Sequence, residues 1–176
     1  MSTATMEPTA AFAGFAEPRL VKAVCDSVDS ALGMCGLSAH CVGVSAVPTR
    51  EAGIITGLIG VHGKVSGFIT VNMSQRMAVR AVNGLLQDSY TELTNQVVDG
   101  AGEITNIIVG GVKSSLAGSP WSFSHLTVPS VIIGKGYHIA YARGLEFLNA
   151  TFEHDDVEAV MLEDRLMQVS ISLLKL

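Results

Sequence analysis

Two side chains able to do chemistry together, Glu103 and Asn106, stand three residues apart in the segment DGAGEITNIIVGGVKSSLAG, Asp99 to Gly118. A carboxylate can accept a proton or pair with a cation, and an amide can donate one hydrogen bond while accepting another. Held side by side, they could serve as a general base with an orienting amide, as two metal ligands, or as solvated surface. The metal reading is the thinnest, because one carboxylate and one amide are too few ligands and no histidine follows at helical spacing. Taken alone, such a pair is most often solvated surface.

A segment of helical period carries the pair. At ~100° per residue, Val97, Ala101, Ile104, Ile108 and Val112 fall within a stripe roughly 80° wide. Asp99, Glu103, Asn106, Gly110 and Lys113 fall on the opposite side, which predicts a buried stripe with Glu103 and Asn106 exposed. Gly102, Gly110 and Gly111 flank the pair, each costing about 1 kcal/mol of helix stability relative to alanine. A face stripped of bulk beside a Glu and an Asn suggests that another surface approaches there. The motif also repeats. ELTN, Glu92 to Asn95, precedes EITN, Glu103 to Asn106, by eleven residues. On one continuous helix both would share a face, about 16 Å apart.

The elements that must position this helix are legible from period and punctuation. Pro18 opens a helix carrying Leu20, Val21, Val24, Val28 and Leu32, which Gly33 and Gly36 end. Ser38 to Pro48 reads as a strand. Gly53 to Met73 reads as a hairpin turning at His62-Gly63-Lys64, with Gly63 expected at positive φ. Ser74 is expected to cap a helix through Met77, Val79, Ala81, Val82 and Leu85. The helix bearing the pair then runs from about Thr91 to Leu116, stopped by Gly118 and Pro120. Strands are expected over Trp121 to Leu126, Val131 to Ala142, Leu145 to Phe152, and Arg165 to Leu174. In the last, Met167, Val169, Ile171 and Leu173 alternate with Gln168, Ser170 and Ser172, as in a strand with one buried face. The acidic stretch EHDDVEAVMLED holds a turn or short helix, with Asp155 and Asp156 expected exposed.

The order helix, strands, two helices, strands predicts a single α+β domain, an antiparallel sheet with helices packed on one face. Residues 1–16 show no period and read as a flexible arm ahead of a domain at 17–176. Of the 176 residues, 48% are hydrophobic and 15% charged, so either the sheet is covered on much of its area or apolar surface is hidden in an oligomer. A symmetric dimer through strand pairing is expected. Glu103, Asn106, Lys113, Lys135 and His138 interrupt every apolar run before the ~18 residues a membrane helix needs. No membrane partner is therefore expected. The net charge of −5 without a Lys/Arg cluster argues against nucleic acid. The N-terminal stretch lacks the basic region of a signal peptide, so a cytoplasmic location is expected. Cys25, Cys35 and Cys41 have no C-x-x-C spacing and read as reduced, mostly buried thiols. His40, His62, His125, His138 and His154 read as isolated residues in or near strands and turns. Gly134 and Gly136 fit a hairpin turn better than a phosphate loop, and no G-x-S-x-G elbow supports a serine hydrolase.

Three segments in order resemble one family. VSGFITVNMS, Val65 to Ser74, is similar to its strand leading into a helix. DGAGEITNIIVGGVKSSL, Asp99 to Leu116, is similar to its helix with Asp, Glu-x-x-Asn and Gly. TVPSVIIGKGYHI, Thr127 to Ile139, is similar to its Pro-containing strand and Gly turn. The family is the CheC/CheX group of bacterial chemotaxis phosphatases, and one full copy of the helix motif favours the CheX branch. The resemblance implies removal of the phosphoryl group from the aspartyl phosphate of a CheY-like response regulator, with Glu103 and Asn106 as the catalytic positions. It implies a homodimer and no cofactor bound by this chain, Mg²⁺ belonging to the partner receiver domain. A non-catalytic module of the same fold that binds a receiver is the alternative. A small-molecule binding domain, marked by a large closed apolar pocket, is a third reading.

Overall fold

The computed structural model describes residues 17–48, 53–135, 137, 139 and 144–176. The expected arm at 1–16 lies outside them, as do Gly136 and His138. Helix α1 (Pro18–Met34) is followed by strands β1 (Ala39–Ser45), β2 (Ile55–Gly63) and β3 (Val65–Met73). Helices α2 (Gln75–Leu86) and α3 (Asn95–Ser115) come next. Strands β4 (Phe123–Leu126), β5 (Ser130–Ile133), β6 (Glu146–His154) and β7 (Leu166–Lys175) complete the chain. The punctuation acts as expected: Pro18 lies in the first turn of α1, and the Ser74 hydroxyl accepts the Met77 N–H at 3.0 Å.

All strand pairs are antiparallel, in the order β1-β6-β7-β3-β2-β4, with β5 also paired to β2. Register puts Met167, Val169 and Ile171 opposite Met73, Val71 and Ile69, and all six are buried. This is the helix-covered face. Here α1 packs on β1 and β6, and α3 packs on β2, β3 and β5.

Glycines set how closely these layers approach. A Cβ at Gly57 in β2 would lie 1.9 Å from Thr105 Oγ1, so α3 rests directly on the strand backbone. Gly100 similarly admits Val82 of α2, and Gly111 admits Ser27 of α1. Gly63 differs from expectation. It is not among the glycines at positive φ; it is required because a Cβ there would stand 2.6 Å from the Phe123 Cα in β4.

The second sheet face also departs from the sequence reading. Ser170 and Ser172 are buried, as are Thr56, Thr70, Asn72 and Asn149 on the same face. Short polar side chains tolerate this because many of them bond to one another or to backbone. Asn72 donates to Thr56 Oγ1 at 2.7 Å and accepts the Gly53 N–H at 2.7 Å. Asn149 donates to Ser170 Oγ at 2.9 Å, and the Tyr137 hydroxyl, beyond β5, bonds to that of Thr56.

Of the two acids expected in an exposed turn, only Asp155 is exposed. Asp156 is 2% exposed, because two arginines of α2 converge on it. Arg76 Nε donates to it at 2.6 Å and Arg80 Nη1 lies at 2.9 Å. The Glu158 N–H adds a third donor at 3.1 Å. The Arg76 hydrogen bond holds the Asp156 carboxyl at about 2, below its ordinary 3.8, against the opposing effect of burial.

Two predictions follow from this packing. Gly57→Ala should destabilise the protein by about 1–3 kcal/mol, the cost of overpacking. Gly110→Ala, where a Cβ meets nothing within 4 Å, should stabilise it by about 0.5–1 kcal/mol through helix propensity. Urea titrations followed by circular dichroism would check both. For Asp156 the folded pKa is depressed, so its contribution is complete above about pH 4 and lost as pH falls through about 2. The stability gap between wild type and Asp156→Asn should therefore narrow from pH 5 to pH 2 in urea titrations.

Candidate functional site

Helix α3 begins at Asn95 because Thr94 caps it, its hydroxyl accepting the Val97 N–H at 3.3 Å. Val97, Ala101, Ile104, Ile108 and Val112 are all 0% exposed, as the stripe predicted. Burial spreads further than the stripe. Gly100, Gly102, Thr105 and Val109 are also buried, because α1 and α2 flank the helix while the sheet lies beneath it. Between the exposed ends of the helix, what stays open is a narrow strip along one line: Asp99, Glu103 and Asn106 exposed, with Gly110 and Lys113 half-buried.

Glu103 and Asn106 thus share the solvent-facing side of a helix fixed on its other sides. The side-chain bonds made within α3 run from Thr105 Oγ1 to the Ala101 carbonyl, 2.8 Å, and from Ser114 Oγ to the Gly110 carbonyl, 3.0 Å. Among the described residues, the side chain of neither Glu103 nor Asn106 is engaged in a hydrogen bond or ion pair. An unengaged carboxylate and amide one turn apart can meet a cation and a water molecule presented by another surface.

The glycines around the pair do not all serve that surface. Gly111 is taken up by Ser27 of α1. Gly102 is covered by β5 and the residues before it, a Cβ there lying 3.4 Å from Val131 and 3.9 Å from Pro129. Gly110 alone of the three opens to space. Through Gly102, however, the link between β4 and β5 is brought against the polar strip. Thr127 pins that link to β2: its N–H donates to the Gly60 carbonyl and its hydroxyl accepts the Gly60 N–H, both at 2.9 Å. Val128, next in the chain, is 82% exposed. Sequence reasoning did not single out Val128, since an apolar residue between Thr127 and Pro129 has no period to mark it.

The second motif is placed differently from expectation. Asn95 is the first residue of α3 and Glu92 precedes the Thr94 cap, so ELTN and EITN do not share one continuous helix face. Nor are all the histidines isolated. His62 and His125 are cross-strand partners with ring centroids 6.4 Å apart. His154 is buried, its Nδ1 2.7 Å from the Ser38 carbonyl oxygen. Among the described residues, no group of three or more His, Cys, Asp or Glu is placed to hold a metal ion. A cleft of about 580 Å³ lies at the start of α2. Arg76, Arg80, Lys135, Glu158, Glu163 and Asp164 help line it, so it is charged rather than apolar, and no residue of α3 borders it. Among the described residues, no helix is long and apolar enough to cross a membrane.

The fold has counterparts. Structures with the same fold include chemotaxis protein CheX from Vibrio vulnificus, 24% identical, TM-score 0.73, over 88% of this chain and 98% of that one. CheX from Desulfovibrio desulfuricans is 21% identical with a TM-score of 0.72, over 87% and 98% of the two chains. The CheX-CheY-BeF3-Mg complex from Borrelia burgdorferi is 21% identical with a TM-score of 0.69, over 88% and 97%. No curated protein matches the sequence. The family model for chemotaxis phosphatase CheX matches residues 55–153, from the first residue of β2 through α3 almost to the end of β6. That span is more than half of the chain and contains both Glu103 and Asn106, and the chain belongs to the CheX family of chemotaxis phosphatases.

Proposed function

We propose that this protein removes the phosphoryl group from the aspartyl phosphate of a CheY-like response regulator, in the cytoplasm. The observation that carries this reading is the exposed, unengaged pair Glu103 and Asn106 on α3 of a CheX-family chain. A CheX of the same fold has been captured with CheY, BeF3 and Mg. The rest is chemistry.

An aspartyl phosphate is an activated acyl phosphate, and a receiver domain brings its own Mg²⁺ and lysine. The missing component is a water molecule held in line with phosphorus. The Asn106 amide accepts one hydrogen bond and donates another, which fixes the orientation of water without requiring a group that titrates near neutrality. An amide orients the attacking water in small GTPases in the same way. The Glu103 carboxylate, one turn earlier, pairs with the receiver's lysine, which seats the amide and excludes bulk water. Val128 on the pinned β4–β5 link supplies apolar contact beside them.

Asn106→Ala should lower the dephosphorylation rate by on the order of 10²–10³, as loss of one well-placed orienting group does, while largely sparing receiver binding. Glu103→Ala should weaken both. Glu92→Ala and Asn95→Ala should change little. Purified protein mixed with phosphorylated receiver domains from its own organism, followed by phosphate release, measures all four. Wild-type activity in the Glu103→Ala/Asn106→Ala double variant would exclude this mechanism. An unmutated protein that binds a receiver without hydrolysing its phosphate would establish the non-catalytic module instead.

We also propose that the protein works as a homodimer through an open sheet edge. Strand β1 ends the sheet on one side, and Val42 within it and Val47 just beyond it are 46% and 65% exposed. Light scattering at micromolar concentration should give twice the 18.5 kDa chain mass. A monomer there would remove the dimer and leave the active-site proposal standing.

A further inference from the structure

His62, next to last in β2, and His125 in β4 are direct cross-strand partners, so both side chains leave the same face of the sheet. Their ring centroids are 6.4 Å apart, with the planes inclined at 45°. Both residues are exposed. A hydroxyl holds each ring at the same atom. His62 Nδ1 lies 2.5 Å from Oγ of Ser66, its partner across the β2–β3 hairpin. His125 Nδ1 lies 2.9 Å from Ser124 Oγ. The register shifts there, from His62 opposite His125 to Gly63 opposite Phe123, which leaves Ser124 as an extra residue of β4 and re-aims its side chain. Among the described residues, Nε2 of each ring has no hydrogen-bond partner.

We propose that His62 and His125 form a two-imidazole site for a divalent transition-metal ion such as Zn²⁺, bound through their Nε2 atoms. The donor set decides the class of ion. Neutral imidazole suits zinc, copper and nickel, whereas magnesium and calcium call for carboxylate and carbonyl oxygens. The hydroxyls decide the nitrogen. With Nδ1–H donating to serine, each ring presents its Nε2 lone pair outward, and a neighbouring oxygen of this kind fixes the tautomer and orientation of a metal-bound histidine.

The spacing of the rings is within reach of one ion. Zn–N bonds of about 2.1 Å place an ion about 3.2 Å from each centroid, so two such rings stand about 6.4 Å apart at most and about 5 Å apart at a tetrahedral angle. Side-chain rotation by about 1 Å closes the observed separation to the tetrahedral one, and exposed rings make such rotations freely. Water fills the other positions, since the described residues offer no third protein ligand. A bound ion joins edge strand β4 to β2, three residues before Val128, and uses neither Glu103 nor Asn106.

The test titrates zinc chloride into the tag-free, full-length protein by calorimetry and follows the imidazole nitrogens by NMR. The expected result is one ion per chain, Nε2 shifts at His62 and His125, and a higher melting temperature with zinc present. His62→Ala and His125→Ala should each weaken binding by at least about tenfold, and Ser66→Ala by roughly tenfold, as loss of the oxygen behind a metal-bound histidine does. A wild-type protein that gives neither heat nor NMR change would overturn the proposal. So would zinc binding that leaves the His62 and His125 signals unmoved, as capture by the thiols would, or binding unchanged in the His62→Ala/His125→Ala variant. One ion per two chains would replace the single-chain site with one shared between copies. The wild-type NMR titration decides the matter even if a variant does not fold.

Discussion

The contact between Gly57 and Thr105 fixes the distance from which the rest of the architecture follows. Without a side chain at 57, α3 lies against the backbone of β2, and the Thr105 hydroxyl turns back onto the Ala101 carbonyl instead of being buried unpaired. Gly100 and Gly111 repeat the arrangement toward α2 and α1. Glycines inside a helix cost about 1 kcal/mol each in propensity, and close packing on several sides offsets that cost through dispersion and apolar burial. A helix held this way has little freedom to roll. Between its two ends its exposed residues are reduced to a single line, and Glu103 and Asn106 stand on that line.

Under the proposed function, that constraint is what would make two ordinary polar residues useful. Orienting a water molecule demands position to within a fraction of an ångström, which a loop does not provide and a clamped helix does. The link from Thr127 to Pro129 is fixed to the same frame by paired bonds to Gly60 and by contact with Gly102. A polar strip and an apolar contact are therefore held in constant relation on one surface. Under the proposed function the chemistry asked of the chain is modest, because phosphoryl activation and metal binding would belong to a receiver domain.

The remainder of the fold shows how a sheet covered on much of both faces handles polar groups. The helix face is apolar across the middle of β2, β3 and β7. The other carries hydroxyls and amides, several bonded to one another, of which Asn72 is the most connected. At the β6–β7 connection a buried carboxylate, Asp156, receives donors from Arg76, Arg80 and the Glu158 backbone. Three donors on one acid are what allow it to remain charged out of water. They also attach that connection to α2.

The amino-acid sequence alone determined most of the elements, the α+β order, the buried stripe of α3 and the outward side of Glu103 and Asn106; the strand read over Val131 to Ala142 is the exception, since β5 ends at Ile133 and residues 140–142 lie outside the described ones. Each of these is written in local periodicity, with its ends marked by residues such as Pro18, Ser74 and Gly118 whose backbone preferences act within a few positions. Tertiary structure decided everything that depends on which distant segment lies opposite. Gly63, Gly102 and Gly111 looked like a turn residue and a cleared outer surface, yet they serve contacts with Phe123, Val131 and Ser27. Asp156 looked like solvated acid until two arginines of another element converged on it. Ser170 and Ser172 alternated like an outer face and are buried. Glu92 matched the second motif in letters but lies ahead of the Thr94 cap, outside the helix. Periodicity reports which side of an element avoids water; only the assembled chain settles what each side meets.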